Sequence, residues 1–491
     1  MIALENKVAI YKSDNIAYPK VAPFNPDENF PEYKFSDISS GTNHIYNSIR
    51  QTFYLLGLDK ENYNKPNWNP LKEFINKGET VLLKPNFVKE FHPRDENGWE
   101  YILTHGSVIR AVADYVFLAL DKTGKIILGD APQTDSSFSK IVKLLQLEKI
   151  TDFYKSHNLD FSVLDFRKEE WENKNDVIVK RTKLPGDPFG YIAFDLATSS
   201  EFHGHSGVGN YYGADYDACQ VNNHHDGKKN EYLITGAAIE CDVYFNIPKL
   251  KTHKKAGVTI NLKNLVGVNG DKNWLPHHTE GDPSTGGDQF PKISLSQKTE
   301  NSSVHIFKKI ALAIPFIGPK IMQLARPLGK KIFGDTEDVI RSGNWYGNDT
   351  VWRMCLDLNK LVMYGNKDGS LRENSFSNRK RYLCLVDGFI AGEGRGPMNP
   401  DPFDAGLCIF GTNPVSVDAV GATLMGFDIN KIPIINNAFT IKDYKITSIH
   451  KDSIVCYSNN PEWSKKMTDI SFNSVYKFKP HFGWLGHIEK E

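Results

Sequence analysis

TVLLKPNFVKEFHPRDENGWEYILTHGSVIRAVADYVFLALDKTGKIILGDAP, residues 80–132, decides the fold. Its two ends, TVLLKPNFV (80–88) and KIILGDAP (125–132), are short apolar runs. Runs of that length, with little polar alternation, fit strands buried on both faces. Between them, HGSVIRAVADYVFLALDKTG (105–124) sets Val108, Ile109, Val112, Val116 and Leu120 at helical spacing. Gly124 is expected to cap the C-terminus of that helix. Thr104 is expected to cap its start, leaving His105 to face a crevice.

The same kind of run recurs along the chain. VAIYK (8–12), FSVLDF (161–166), CDVYFNIPKL (241–250), KLVMYG (360–365), RYLCLVDGFI (381–390) and AGLCIFGTN (405–413) all read as strands. Strands alternating with helices predict an α/β fold, a mostly parallel or mixed sheet covered by helices, with a basic helical insertion. At 491 residues the chain exceeds one typical domain. The expected division is an N-terminal extension packed on the core (1–79), an α/β core (80–430) and a C-terminal extension (431–491). Apolar residues at 40% suffice for a large core, and 59 basic against 59 acidic residues give no net charge. That balance excludes the overall basic field of a dedicated nucleic-acid binder, so no nucleic-acid partner is expected.

Four of the runs end in polar residues. TVLL leads into Lys84-Pro85-Asn86, KIIL into Gly129-Asp130-Ala131-Pro132, VYFNIP into Lys249, Lys251, Thr252 and His253, and GLCIF into Gly411-Thr412-Asn413-Pro414. In α/β sheets ligands bind beyond the carboxyl ends of strands. The four tails are therefore expected to converge. Asn413 with Pro414 also suits the start of a helix whose free N–H groups attract an anion. The richest stretch, IPKLKTHKKAGVTINLKNLVGVNGDKNWLPHH (247–278), mixes Lys249, Lys251, Lys254, Lys255, Lys263 and Lys272 with glycine, threonine and asparagine. That mixture resembles an anion cradle in outline, although the G-x-x-x-x-G-K-[ST] loop is absent. Lys84, Lys249, Lys251 and Lys263 are expected to hold a small anionic ligand, with Asn86, Thr252, Asn261, Asn264 and Asn413 orienting it. His253, with Asp130 or Asp387, is expected to move protons or ligate a metal.

Seven of the fifteen histidines fall between 203 and 278. His224, His225, His277 and His278 are the candidate ligands for a divalent metal, although their spacing matches no recognised signature. The six cysteines are scattered, which argues against an iron–sulfur cluster. Those in YLCLV and GLCIF read as buried free thiols. Segment 301–334 carries six basic residues and no acidic one, so it is expected to be an amphipathic insert, either a lid or dimerisation element or a peripheral membrane contact. No apolar stretch reaches the length of a membrane span and the N-terminus lacks the pattern of a secretory signal, so a cytoplasmic, at most membrane-associated, protein is expected.

KPN (84–86), the Thr104-His105 helix start, GDAP (129–132), PKLKTHKKAGVTINLKNLVG (248–267), VDGFIAGEGRGP (386–397) and GTNPVSVDAVGATLMGFD (411–428) together resemble the "domain of unknown function 362" family. GNWYGNDTVWRMCLDLNKLVMYG (343–365) looks like its longer members. The resemblance implies one α/β unit over about residues 80 to 430. It also hints at surface-polysaccharide or envelope metabolism, since some longer members sit in such gene neighbourhoods. The ferredoxin-like cysteine cluster that some members carry is absent from this chain, so an iron–sulfur role does not transfer. The expected function is an enzyme acting on a phosphorylated or carboxylated small molecule, metal-assisted or not. The alternatives are a non-catalytic membrane-peripheral assembly factor and a redox protein.

Overall fold

The computed structural model describes residues 4–174, 177–214, 218–292 and 339–490. The 301–334 insertion lies outside the described residues. A ten-stranded mixed sheet forms the centre, and its strands are numbered here in chain order. They are β1 (Lys7–Lys12), β2 (Thr80–Pro85), β3 (Lys125–Asp130), β4 (Asp160–Asp165), β5 (Val243–Ile247), β6 (Lys249–His253), β7 (Gly257–Thr259), β8 (Arg381–Glu393), β9 (Asp401–Gly411) and β10 (Val455–Ser458). The order across the sheet is β10-β1-β9-β8-β5-β2-β3-β4, with β6 paired to β8 and β7 to β6. Strands β8, β5, β2, β3 and β4 run parallel; β9 is antiparallel to both β8 and β1. The fold is α/β, and the segments before residue 80 and after residue 430 each supply a strand to the same sheet.

Successive strand residues feed two different cores. Val81, Leu83, Ile126, Leu128, Val243, Phe245, Leu383 and Leu385 pack to one side. Leu82, Ile127, Tyr244, Tyr382, Cys384 and Val386 pack to the other. This period of two, apolar at every position, is what the continuous runs encode. Helices α1 (His44–Leu55) and α2 (Gly106–Ala119) cover the first face; α3 (Val351–Tyr364) and α4 (Pro414–Leu424) cover the second.

Three local readings are corrected. KLVMYG (360–365) is not a strand but the end of α3, in which every residue except Arg353 is buried. A short apolar run cannot separate a buried strand from one turn of a buried helix. Helix α2 stops at Ala119 and the chain turns through Asp121 and Lys122 at φ 51° and 59°, so Gly124 is not its cap. Its N-cap is His105, whose ring accepts from the Ser107 N–H, rather than Thr104. The Thr104 hydroxyl instead donates to the Ile247 carbonyl at 2.7 Å and accepts from the Asn86 N–H at 2.8 Å, tying the ends of β5 and β2 together. Among the described residues, no helix is long and apolar enough to cross a membrane.

Candidate functional site: a lysine cluster at the switch point of the sheet

From β2 the chain winds one way to β3 and β4, then returns to place β5 and β8 on the other side of β2. The crevice beyond the ends of β2 and β5 is thus the topological switch point, where open α/β sheets bind ligands. Here the chain itself enters the crevice. Lys84, fully buried at the end of β2, forms an ion pair with Asp130 at the end of β3, at 2.8 Å. Burial works against both charges, lowering the lysine pKa and raising that of the carboxyl, and the pairing opposes it. Asp130 also accepts from the Phe87 N–H. Asn264 donates to Asn246 at 2.7 Å and accepts from Asn86 at 2.9 Å. Asn261 and the following N–H are anchored by Asp418 of α4 through three hydrogen bonds of 2.8–2.9 Å. Gly267 lies directly over the ion pair: a Cβ there would overlap the Asp130 carboxylate and approach the Lys84 ammonium to 2.6 Å. Only glycine lets the 265–268 turn close over these two charges.

A second buried group lies further along β8. Lys249 pairs with Asp387 at 3.2 Å and donates to the Tyr18 hydroxyl at 2.6 Å; Tyr18 in turn donates to Asp387. The His105 N–H donates to the other oxygen of Asp387, and the His105 ring stacks on Tyr18 with centroids 4.1 Å apart. Both oxygens and the ammonium are therefore engaged. Thr252 donates to the Gly394 carbonyl, pinning β6 to the loop after β8.

The remaining cations differ. Lys251, fully buried, donates to the Ile102 carbonyl and has no carboxylate partner among the described residues. Lys263 is half-buried, and its ammonium meets no acceptor among the described residues. It nevertheless depresses the pKa of Lys84, Lys251, Lys255 and Lys272, and of the His253 and His277 rings, so all six lie within its field. Burial, reinforced by these like charges, lowers Lys255 and Lys272 to about 7. The two imidazoles are held neutral for the same reason, with His277 at about 3. Their tautomers are complementary. His253 Nδ1 accepts from the N–H groups of Lys255 and Ala256, so its Nε2 carries the hydrogen. His277 Nδ1 faces the Leu275 carbonyl at 2.9 Å and must donate, which leaves Nε2 as an acceptor.

The expected convergence of four strand ends is met for three of them. Lys84, Asp130 and the 249–253 segment share one edge. Asn413 does not: β9 runs antiparallel to β8, pairing Gly411 with Cys384, and so carries its C-terminal end to the opposite edge. There Asn413 does cap α4, accepting from the N–H groups of Val415 and Ser416. Its amide donates to Glu5 and Thr447, so the chain's own groups fill the place expected for an anion.

The four histidines read as metal ligands each have a partner of their own. His224 stacks on Trp274 at 3.4 Å and meets Glu231 at 2.8 Å. His225 lies 2.9 Å from the Trp274 carbonyl and is lowered to about 4 by burial. His277 is fixed as above, and His278 stacks on Tyr212. Among the described residues, no three His, Cys, Asp or Glu side chains gather to hold a metal. Sequence reasoning missed Tyr18, and also Asp288, which accepts from the N–H groups of Thr279, Asp349 and Thr350 and whose charge favours that of Lys255. Tyr18 is far from the other motifs in sequence, and Asp288 sits in an unremarkable loop. A buried tyrosine hydroxyl needs a partner, but nothing in the sequence says which.

An α/β protein with a lysine-rich edge is thereby defined. Residues 203–423 match the family model described as "Domain of unknown function (DUF362)". No curated protein matches the chain. A crystal structure of a Thermotoga maritima protein is similar at 11% identity, over 72% of this chain and 53% of that one, with a TM-score of 0.28. The chain thus spans about half the length of that protein.

Proposed function

We propose that this chain is an enzyme acting on a phosphorylated or carboxylated small molecule bound over Lys251, Lys255 and Lys263. One observation carries the reading: the half-buried Lys263 ammonium has no acceptor among the described residues and sits in a field of further lysines. A protein that gathers like charges away from water loses stability by doing so, and a bound anion offsets that loss. The neutral pair His253 and His277 supports chemistry beyond binding, since one presents a ring N–H and the other a lone pair. Lys84, Asp130, Lys249, Asp387 and the asparagines act in this reading as the buried scaffold that fixes the lysines.

A thermal-shift screen of phosphates, sugar nucleotides and carboxylates on the full chain tests the proposal. A ligand at about a hundred times its dissociation constant adds roughly 2.7 kcal/mol and shifts the melting point. Lys263→Gln should abolish that shift while keeping the unliganded melting point. Shifts of equal size in wild type and variant would refute the assignment. The polybasic composition of 301–334 favours a second reading, membrane-peripheral binding. Flotation with anionic vesicles that depends wholly on this segment, without any small-molecule shift, would favour that reading.

A further inference from the structure

A cavity of about 120 Å³ lies between α1, the end of α2 and the 32–35 segment. It is separate from the lysine edge: α2 starts there, beside Asp387, and ends here with Phe117 and Leu118 on the cavity wall. Protein interiors pack densely, so an empty space of this size costs stability. Its walls are aromatic. Tyr33 stands at 65° to Phe35 and at 86° to Tyr46, with centroids 5.4 and 6.0 Å apart, and Tyr115 is tilted by 41° to Tyr46. Rings set at steep angles offer both faces and edges to a further ring. About 150 Å³ takes up one benzene molecule in an engineered apolar cavity, so the space here is of single-ring size.

The charges around the cavity decide what such a ring carries. On the floor, Glu32 pairs with Arg50 at 2.6 Å and Asp114 with Arg110 at 3.0 Å, all four side chains being buried. Tyr115 and Tyr46 donate their hydroxyls to the same two carboxylates, at 2.9 and 3.1 Å. The floor is electrically complete, and its tyrosines present ring surface. The mouth is not complete. Of its exposed residues, Asp121 is paired with Lys77 at 2.8 Å, whereas Lys34 has, among the described residues, only the Pro66 carbonyl at 2.6 Å. Lys122 meets no acceptor among the described residues, and its ammonium lies over the Phe35 ring, 5.4 Å from the centroid. An uncharged aromatic interior below two unbalanced ammonium groups fits a flat ring inside with an anionic group at the entrance. We infer that this cavity binds a small aromatic acid, its ring against Phe35 and Tyr46 and its carboxylate beside Lys122.

Isothermal titration of the full chain with benzoate, benzyl alcohol and benzylammonium, one ring with three charges, tests this. Benzoate should bind about two- to fivefold more tightly than benzyl alcohol at low salt, the range an exposed ion pair supports, and benzylammonium more weakly than either. Leu118→Trp, at a half-buried wall position, should abolish binding of all three, and Lys122→Gln should erase most of the advantage of benzoate. Benzyl alcohol or benzylammonium binding as tightly as benzoate overturns the acid assignment. Binding by none of the three overturns the cavity as a site. Benzoate binding that survives Leu118→Trp but is lost in Lys263→Gln belongs to the lysine edge and overturns it too. Should Leu118→Trp fail to fold, the exposed Lys122→Gln change and the Lys263→Gln comparison carry the test.

Discussion

The two edges of one sheet solve the problem of buried charge differently. At the edge where β9 ends, Glu5 pairs with Arg379 and holds Asn413, whose side chain also caps α4 and meets Thr447. At the edge where β2 and β5 end, two ion pairs are complete, yet among the described residues Lys251 and Lys263 are left without carboxylate partners. The first edge is closed by the protein's own groups. The second is closed only as far as Lys84 and Lys249, and keeps a surplus. The contrast teaches that a polar strand end is not by itself a site; charge left over after the internal pairing is what marks one.

Breaking a completed pair should cost most. Lys84→Met strips the partner from a buried carboxylate and should lower stability by about 3–5 kcal/mol in urea denaturation. A loss below about 1 kcal/mol would mean that Asp130 is neutral in the folded protein. At the opposite edge, Asn413→Ala should cost about 1–2 kcal/mol through the lost cap, with the thermal shift given by an anionic ligand unchanged. A change in binding there would join two edges that the account separates. In the surplus the sign should reverse: Lys251→Met keeps the side-chain volume and removes a buried charge, so stability should rise by about 1 kcal/mol. Destabilisation would show that Lys251 serves the fold.

The smallest effect is one of pH. Lys255 and Lys272 titrate at about 7 in the folded protein and at about 10.4 when unfolded. Between these values the unfolded chain binds more protons, so the stability of the unliganded protein should rise from about pH 7 to about pH 10. Below that window both states are protonated and the slope from these lysines vanishes. A bound anion favours the charged lysines and should flatten the rise. Stability falling over the same window in unliganded protein would contradict the placement of these two groups.

Much of this was legible in the sequence, for identifiable reasons. β2, β3, β5 and β8 were readable because apolar runs without polar alternation admit few other structures at their length. Lys84, Lys251, His253 and Lys263 were readable as neighbours because they end or follow parallel strands. Asn413 was misplaced because strand direction is a property of pairing, and AGLCIFGTN reads alike whether β9 runs with β8 or against it. The Lys249–Asp387–Tyr18 group was only half visible: a lysine that will be neutralised and one that will not look the same until the fold brings their carboxylates near or fails to.

Where an anion comes to rest is the most direct question. Crystals of the full chain soaked in tungstate, a heavy tetrahedral anion, should give an anomalous peak bounded by Lys251, Lys255 and Lys263. Lys263→Gln crystals treated alike should lose it. A peak beside Asn413 and α4 instead, or none near Lys263, would contradict the claim that the uncompensated lysines form the site.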